Sequence, residues 1–116
     1  MKIIRYREAE AKNYPSKVAK GATGRVVIGK ADGAPNFCMR VFEIAEGGYT
    51  SNHGHGYEHE VFVHCGEGAI LKGGEWAPFS TGSVIFISPN EEHQLKNTGK
   101  DPLVFVCLVP SGAPEL

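Results

Sequence analysis

The sequence predicts an all-β domain, an antiparallel β-barrel or jelly roll, and three observations lead to that prediction. Glycine accounts for 15 of the 116 residues, roughly twice its average share of about 7%. The glycines are spread along the chain, and many of them separate short apolar segments, as turn residues separate strands. Helical periodicity is nearly absent, because the one modest helix candidate, residues 7–12, has a poor pattern. A closed sheet of this kind loses its free edges and can enclose a small site.

About eight strands follow one another along the chain. The predicted strands are residues 24–30, 37–46, 58–65, 68–72, 76–79, 83–87, 93–97 and 103–109. Asp32-Gly33, directly after the first strand, is a pair typical of hairpin turns. A polar stretch that carries histidines, residues 47–56, separates the second predicted strand from the third. Residues 110–116 are expected to form a frayed coil after the last strand.

Length and charge limit the organisation and the partners of the chain. A chain of this length fits one domain, so residues 1–116 are expected to form a single unit. Twelve basic and thirteen acidic residues give a net charge of −1, which offers no electrostatic reason to expect nucleic acid or an anionic membrane as a partner. No apolar run approaches the ~20 residues that span a bilayer, and the charged N-terminus lacks the apolar core of a signal peptide. We therefore expect a cytoplasmic protein.

The three cysteines, Cys38, Cys65 and Cys107, agree with that location. Their odd number does not suit a secreted disulfide framework, which uses an even set. Cys38 and Cys107 lie inside apolar runs and are expected to be buried, unreactive thiols. Cys65 follows His64, but neighbours on a strand point to opposite faces, so a catalytic cysteine–histidine pair is not expected there.

The histidines are the residues that indicate chemistry. Three of the five lie within seven residues, as His53, His55 and His59. Their even spacing places all three on one face of an extended strand, because side chains alternate with a period of two. Neutral imidazoles on one face suit Zn, Cu, Fe, Ni or Mn. The alternative is a solvated, histidine-rich loop, since two glycines make the stretch polar and flexible.

The spacing of these histidines resembles the first motif of the cupin superfamily, G(X)5HXH(X)3,4E(X)6G. The match runs from Gly47 through His53 and His55 to Gly66, with every spacing kept. The departure from the motif is His59, which stands where the family usually has glutamate.

The second cupin motif, G(X)5PXG(X)2H(X)3N, is matched from Gly82 through His93 to Asn97. Ser88 and Asn90 stand where the motif has proline and glycine, and asparagine tolerates the left-handed conformation that such a turn needs. The chain therefore resembles a small single-domain cupin, over roughly residues 36–109. Small microbial cupins of this kind are loosely described as oxalate-decarboxylase-like, with unknown substrates.

The resemblance implies a specific fold and a specific metal site. The fold would be a double-stranded β-helix, the jelly-roll barrel of cupins, with N-terminal strands in residues 1–35, the barrel in residues 36–109 and a tail at residues 110–116. One divalent metal ion (Mn, Fe, Ni, Cu or Zn) would be held by four histidines. Carried over to this sequence, these are His53, His55, His59 and His93.

Glu60 is the rival of His59 as a ligand, since the family also allows four intervening residues. Strand parity puts Glu60 on the opposite face, and the six-residue spacing to Gly66 counts from His59. His59 is therefore favoured, although a β-bulge would reverse the assignment. Four neutral ligands leave both positive charges on the metal, which favours Lewis-acid chemistry and anionic substrates.

Three functional hypotheses follow from the resemblance. The first is a divalent-metal-dependent enzyme of dioxygenase, decarboxylase or isomerase/lyase type, acting on a small oxygenated or carboxylate compound. The second is a non-catalytic module that binds a small ligand or a metal. The third is a structural barrel that has lost its metal, which the four histidines at motif spacing argue against. The resemblance also implies a homodimer.

Several other residues are candidates for roles at the site. Arg40 lies in the middle of a strand and would clamp a substrate carboxylate if it pointed inward, or would be a satisfied edge residue if it did not. Tyr57 would gate the opening or donate a hydrogen bond. Glu91 and Glu92 are expected to be solvated, or to orient a ligand histidine through a carboxylate. His64 is expected to face outward, with Phe62 beside it, at a surface or subunit contact.

Overall fold

Nine strands, all paired antiparallel, make one curled sheet in the computed structural model, which describes residues 1–116. The strands are β1 (Lys12–Asn13), β2 (Lys20–Ile28), β3 (Phe37–Tyr49), β4 (His59–Cys65), β5 (Glu67–Lys72), β6 (Glu75–Ser80), β7 (Val84–Ile87), β8 (Leu95–Asn97) and β9 (Leu103–Pro110). The eight predicted strands correspond to β2–β9, so the predicted all-β jelly roll is confirmed.

The long strand β3 organises the sheet because it pairs with three other strands. Along one edge it pairs with β2, and along the other it pairs first with β9 and then, at Tyr49, with β8. The strand order β6-β5-β8-β3-β9-β4-β7 then folds the two ends of the sheet around a common interior. No helix in the chain is long and apolar enough to span a bilayer.

Alternating side chains on β4 separate the interior from the outer surface. His59, Val61 and Val63 are buried, whereas the side chains between them are exposed. The inward residues join a core of twelve buried side chains that includes Ile44 and Leu103, both fully buried. Burial of such apolar side chains stabilises the fold by about 1.5–3 kcal/mol each.

Two turn residues adopt the left-handed backbone that the motifs require. Asn90 has a φ of 66°, as expected for the residue that replaces glycine in the second motif. Gly66, the last residue of the first motif, has a φ of 104°. A Cβ atom at Gly66 would lie 2.8 Å from Cα of Leu103, so no larger residue fits without moving the start of β9.

The two ends of the chain differ from simple coil. The weak helix candidate, residues 7–12, is not a helix, because a short 3₁₀ turn occupies Tyr6–Glu8 and β1 begins at Lys12. The expectation of a frayed coil at residues 110–116 is wrong. Its Glu115 carboxylate accepts a hydrogen bond from the backbone N–H of Lys30 at 2.8 Å, and the tail packs beside β2, where a Cβ atom on Gly24 would lie 2.8 Å from the Leu116 side chain.

Candidate metal centre

The four motif histidines come from three places in the chain and meet in one cluster. His53 and His55 lie in the segment between β3 and β4, His59 is the first residue of β4, and His93 lies just before β8. An antiparallel bridge joins the backbones of His53 and His93, with N···O distances of 3.2 and 2.9 Å. This bridge holds the two motifs together, so residues far apart in the sequence face each other.

The imidazole rings lie close enough to share a ligand. Neighbouring rings have centroids 4.6–5.1 Å apart. The potential ligand nitrogens of His53, His55 and His93 all lie within 4.8 Å of one another, and Nε2 of His59 lies 2.9 Å from Nε2 of His55. His53, His55 and His93 therefore form a group that can hold a metal ion, with His59 directly beside it.

Three of the histidines are held at Nδ1 by an oxygen atom. The contacts are Nδ1 of His55 to the carbonyl of Tyr57 (3.2 Å), Nδ1 of His93 to the carbonyl of Glu91 (2.8 Å) and Nδ1 of His53 to the hydroxyl of Ser51. A carbonyl oxygen only accepts, so in His55 and His93 the proton sits on Nδ1 and the lone pair on Nε2. Metal-binding histidines typically make such outer contacts, which fix the tautomer and the ring orientation. We call His53, His55 and His93 the oxygen-backed histidines.

His59 has a different environment, which we call the buried cluster: Arg40, His59 and Cys107. Nη2 of Arg40 lies 3.2 Å from Nδ1 of His59 and donates to Sγ of Cys107 at 2.9 Å. Because a guanidinium can only donate, this contact places a lone pair on Nδ1 and the proton on Nε2. For Nε2 to bind a metal, that proton must leave or move to Nδ1, where Sγ of Cys107 at 3.4 Å is the nearest acceptor.

Burial lowers the pKa of three of the histidines, His53, His59 and His93, and so favours their uncharged form. Desolvation, followed by the charge of Arg40, lowers the pKa of His59 from 6.5 to about 3. Desolvation also lowers the pKa of His93, against the opposing effect of the Glu91 carbonyl. The pKa of His53, the most exposed of the four, is lowered to about 4, again mainly by partial desolvation. Uncharged imidazoles keep their lone pairs available for a metal, so the donor set fits a divalent ion.

The cluster opens into a cavity of about 250 Å³ inside the barrel. Apolar and aromatic side chains form much of its wall, and the rings of Phe42 and Phe105 stack with centroids 5.4 Å apart. No aspartate or glutamate lines the cavity. The functional groups that it presents are the imidazoles, the guanidinium of Arg40, hydroxyl-bearing side chains such as those of Tyr14 and Tyr57, and the Cys107 thiol.

The structure brings the two candidate side chains to the cavity. Arg40 points inward with only 7% of its surface exposed, so it is not a satisfied edge residue. Tyr57 stacks on the ring of His55, with centroids 3.8 Å apart and an angle of 9° between the planes. Arg40 and Tyr57 stay predictions as catalytic residues, and their positions agree with a role at the site.

The remaining candidates face outward or act through a different atom. Glu60 is exposed on β4, and His64 is exposed on the same face, both as strand parity predicts. The carboxylates of Glu91 and Glu92 accept hydrogen bonds from the Ser88 amide and the Asn52 side chain. Neither carboxylate orients a histidine. The backbone carbonyl of Glu91 does so instead, because the tight turn before His93 directs that oxygen at the ring.

Several residues of this site are not predicted from the sequence. Cys107, expected to be an unreactive core thiol, faces Arg40 across the β3–β9 pair and contacts His59. Pro114 and Leu116 of the tail line the cavity. The side-chain parity of β9 could have placed Cys107 on the inner face, but the register that pairs it with Arg40 cannot be read from the sequence.

Comparison with known proteins agrees with this geometry. The family model described as a cupin domain, Cupin_2, matches residues 40–109. The solved structure of the polyketide cyclase RemF from Streptomyces resistomycificus is 28% identical, with a TM-score of 0.90. The alignment covers 98% of this chain and 82% of RemF.

Two curated relatives are about as similar in sequence as RemF, and their alignments cover less of this chain. A glucose-6-phosphate isomerase from Thermococcus onnurineus is 27% identical over 94 residues, which are 71% of this chain and 50% of the isomerase. An L-ectoine synthase from Vibrio campbellii is 28% identical over 100 residues, which are 85% of this chain and 78% of the synthase. The chain thus spans about half the length of that isomerase.

Proposed function

The chain belongs to the cupin domain family, and from that premise we propose that it is a divalent-metal-dependent enzyme. Its substrate would be a small oxygenated or carboxylate compound, transformed by a dioxygenase, decarboxylase or isomerase/lyase type of reaction. The observation that carries the proposal is the cluster of four imidazoles that lines the cavity inside the barrel. One ion of Mn, Fe, Ni, Cu or Zn would be bound by His53, His55, His59 and His93.

The side chains around the cavity support an enzymatic role. A bound divalent ion would supply Lewis-acid chemistry, polarising an oxygen of the substrate. Much of the cavity wall is apolar, and a surround of low polarity strengthens electrostatic interactions inside it. Tyr57 holds the ring of His55 by stacking and presents a phenol at the same place. The size of the cavity, below the ~300 Å³ at which pockets for drug-sized ligands begin, favours a small substrate.

The names of the relatives suggest which reaction type to test first. An isomerase and a cyclase are among the proteins similar to this chain, and neither name describes a net oxidation. We therefore place the isomerase/lyase type ahead of the two others. The cavity wall has no acidic side chain, which agrees with chemistry led by a Lewis acid and imidazoles.

Elemental analysis of untagged protein, purified without chelator, tests this function. We expect about one equivalent of a divalent metal per chain and metal-dependent turnover in a screen. The screen would contain glucose 6-phosphate, oxalate and other small carboxylates, with dioxygen consumption followed in parallel. Bound metal without turnover would support the non-catalytic binding module instead. If the protein retained none of the five metals, the proposal would be contradicted, and the hypothesis of a structural barrel without a metal would remain.

We also propose that two copies of the chain associate through the outer face of β4 and β7. Phe62, Val84 and Phe86 are 49%, 78% and 59% exposed on this face, and β7 ends the sheet with an unpaired edge. An exposed apolar edge strand is normally covered, and a two-fold dimer covers it with the same surface of a second copy. Light scattering after gel filtration should give twice the chain mass, and the Phe86→Lys variant should give the monomer mass. A monomeric wild-type protein would contradict the dimer.

A cytoplasmic location remains a proposal that rests on the cysteines. All three are free thiols, and free thiols persist in reducing compartments. Fractionation of the producing cells tests it, and recovery of the native protein outside the cytoplasm would contradict it.

A further inference from the structure

Arg40 is a buried cation without a counter-ion. It is 7% exposed, and none of the three salt bridges of the chain includes it. Arg25 differs, because its guanidinium binds the carboxylate of Glu43 at 3.1 Å. Burying an unpaired charge is costly, so buried charges are normally paired. The position of Arg40 in the cavity wall suggests that its partner comes from outside the protein.

Most of the hydrogen-bond donors of Arg40 are unused. A guanidinium offers five N–H donors, and only those on Nη2 contact the protein, at Cys107 and His59. Nε is buried without any partner, and Nη1 makes no hydrogen bond to the protein. A sulfur atom and an imidazole nitrogen are neutral acceptors, so neither balances the charge.

The surroundings of Arg40 limit what the missing partner can be. The guanidinium carbon lies 5.0 Å from the centre of the Phe42 ring, and Phe42 stacks on Phe105. The same cavity holds the imidazole cluster and has no acidic side chain in its wall. An anion that enters it therefore meets one fixed cation, an aromatic surface and no acidic side chain.

We propose that Arg40 is a specificity-determining residue that binds the carboxylate of a small substrate with an apolar, preferably aromatic, body. The carboxylate accepts hydrogen bonds from Nη1 of Arg40, which has no partner in the protein and, unlike Nε, is not fully buried. The body packs against Phe42 and Phe105. This inference deepens the proposed function and rests on it, because it assigns the substrate class of the same cavity.

Paired titrations with benzoate and benzamide test the inference by calorimetry. The two probes have nearly the same shape, and only benzoate is charged. We expect benzoate to bind the purified protein at least tenfold more tightly than benzamide. Equal affinities, or no binding of benzoate, would overturn the inference without any variant.

Three variants locate the effect at Arg40. Arg40→Met removes the charge and should abolish the preference for benzoate, whereas Arg40→Lys keeps the charge and should retain part of it. Arg25→Met is the matched control, since it removes an arginine outside the cavity, and should bind benzoate as the wild type does. An Arg40→Met protein that still prefers benzoate tenfold contradicts the inference. If Arg40→Met does not fold, Arg40→Lys takes its place as the test. An Arg40→Lys protein that binds benzoate as tightly as the wild type does contradicts the inference, and the comparison of benzoate with benzamide on the wild type is unaffected.

Metal content, measured in every sample, separates this inference from the proposed function. Titrations are repeated after dialysis against a chelator. If the protein never retained metal but bound benzoate in a way that depends on Arg40, the carboxylate site would be supported and the proposal of a metal-dependent enzyme would be contradicted. Tight metal binding without a preference for benzoate would keep the metal centre and contradict the role of Arg40.

Discussion

The oxygen-backed histidines and the buried cluster place the same imidazole group in opposite surroundings. His55 and His93 each direct Nδ1 at a carbonyl oxygen, so their Nε2 lone pairs are free. His59 directs Nδ1 at the guanidinium of Arg40, so its Nε2 carries a proton and contacts His55 instead. The oxygen-backed histidines can bind a cation as they stand. The buried cluster already contains the cation of Arg40, and His59 can bind a metal only after the proton on its Nε2 is displaced.

This difference shows that the hydrogen-bond partner of Nδ1 determines whether Nε2 of a histidine has a lone pair available for a metal. The oxygen atoms come from turns beside the ligands, whereas Arg40 and Cys107 come from two strands that meet only in the folded sheet. The turns prepare a metal site and the strands add a fixed positive charge next to it. In our proposal, the two together favour an anionic substrate over a neutral one.

Loss of an oxygen-backed histidine should have the largest effect. The His55→Ala variant should retain almost no metal, because it removes a ring whose centroid lies within 5.1 Å of those of all three other histidines. His64→Ala is the control, since His64 is exposed on the outer face of β4, and it should keep the wild-type stoichiometry. Elemental analysis of both purified variants measures the difference. Equal metal content in the His55→Ala and His64→Ala variants would contradict the assignment of the metal site to the histidine cluster.

Loss of His59 should have a smaller but clear effect. Because His59 must give up a proton to bind, we expect His59→Ala to lower metal affinity by about 10–100-fold rather than abolish it. Glu60→Ala changes the neighbouring residue on the opposite face and should leave affinity unchanged. Competition with a chelating dye measures both variants. A loss confined to Glu60→Ala would show that a carboxylate takes the place of His59.

Cys107 should contribute to metal affinity by accepting the proton on Nδ1 of His59 in a hydrogen bond. Its Sγ is the nearest acceptor for Nδ1–H when Nε2 binds a metal, so Cys107→Ala should weaken metal binding by about tenfold. Cys107→Ser keeps an acceptor and should be closer to the wild type. Cys38→Ala, which removes another buried thiol, is the matched control. The same dye competition applies, and identical affinities for Cys107→Ala and Cys38→Ala would count against this role.

The smallest effect is expected in the pH dependence of stability. Folding lowers the pKa of His59 from 6.5 to about 3, so the unfolded chain binds its proton at higher pH than the folded chain. The free energy of unfolding of the metal-free protein should therefore be constant above about pH 7 and fall as the pH drops from about 6.5 toward 3. Urea titrations between pH 4.5 and 8 measure it. His59→Gln should reduce the slope, while the lowered pKa values of His53 and His93 keep part of it. An unchanged slope in that variant would show that His59 does not contribute.

Local patterns in the sequence are enough to predict much of the fold and part of the site. The period of two on β4 separates His59 from Glu60 and His64. The motif spacing brings His93 to His53, and the tolerance of asparagine for the left-handed region accounts for Asn90. Each of these depends on neighbours in the chain, which makes it readable from one sequence.

The features that the sequence does not predict depend on contacts between distant segments. Arg40 and Cys107 meet because β3 pairs with β9 in one particular register, and a shift by one residue would turn both to the other face. The tail is ordered because Glu115 reaches the amide of Lys30. In the turn before His93, composition points to the Glu91 carboxylate, but the backbone geometry makes its carbonyl the partner.

X-ray absorption spectroscopy of the zinc-loaded protein tests the central claim most directly, because it identifies the atoms and rings bound to the metal. The structure leads us to expect a shell of nitrogen and oxygen donors with the multiple-scattering signal of four imidazoles, reduced to three in His59→Ala. A sulfur donor from Cys107, or a signal from two imidazoles or fewer, would contradict a centre built on His53, His55, His59 and His93.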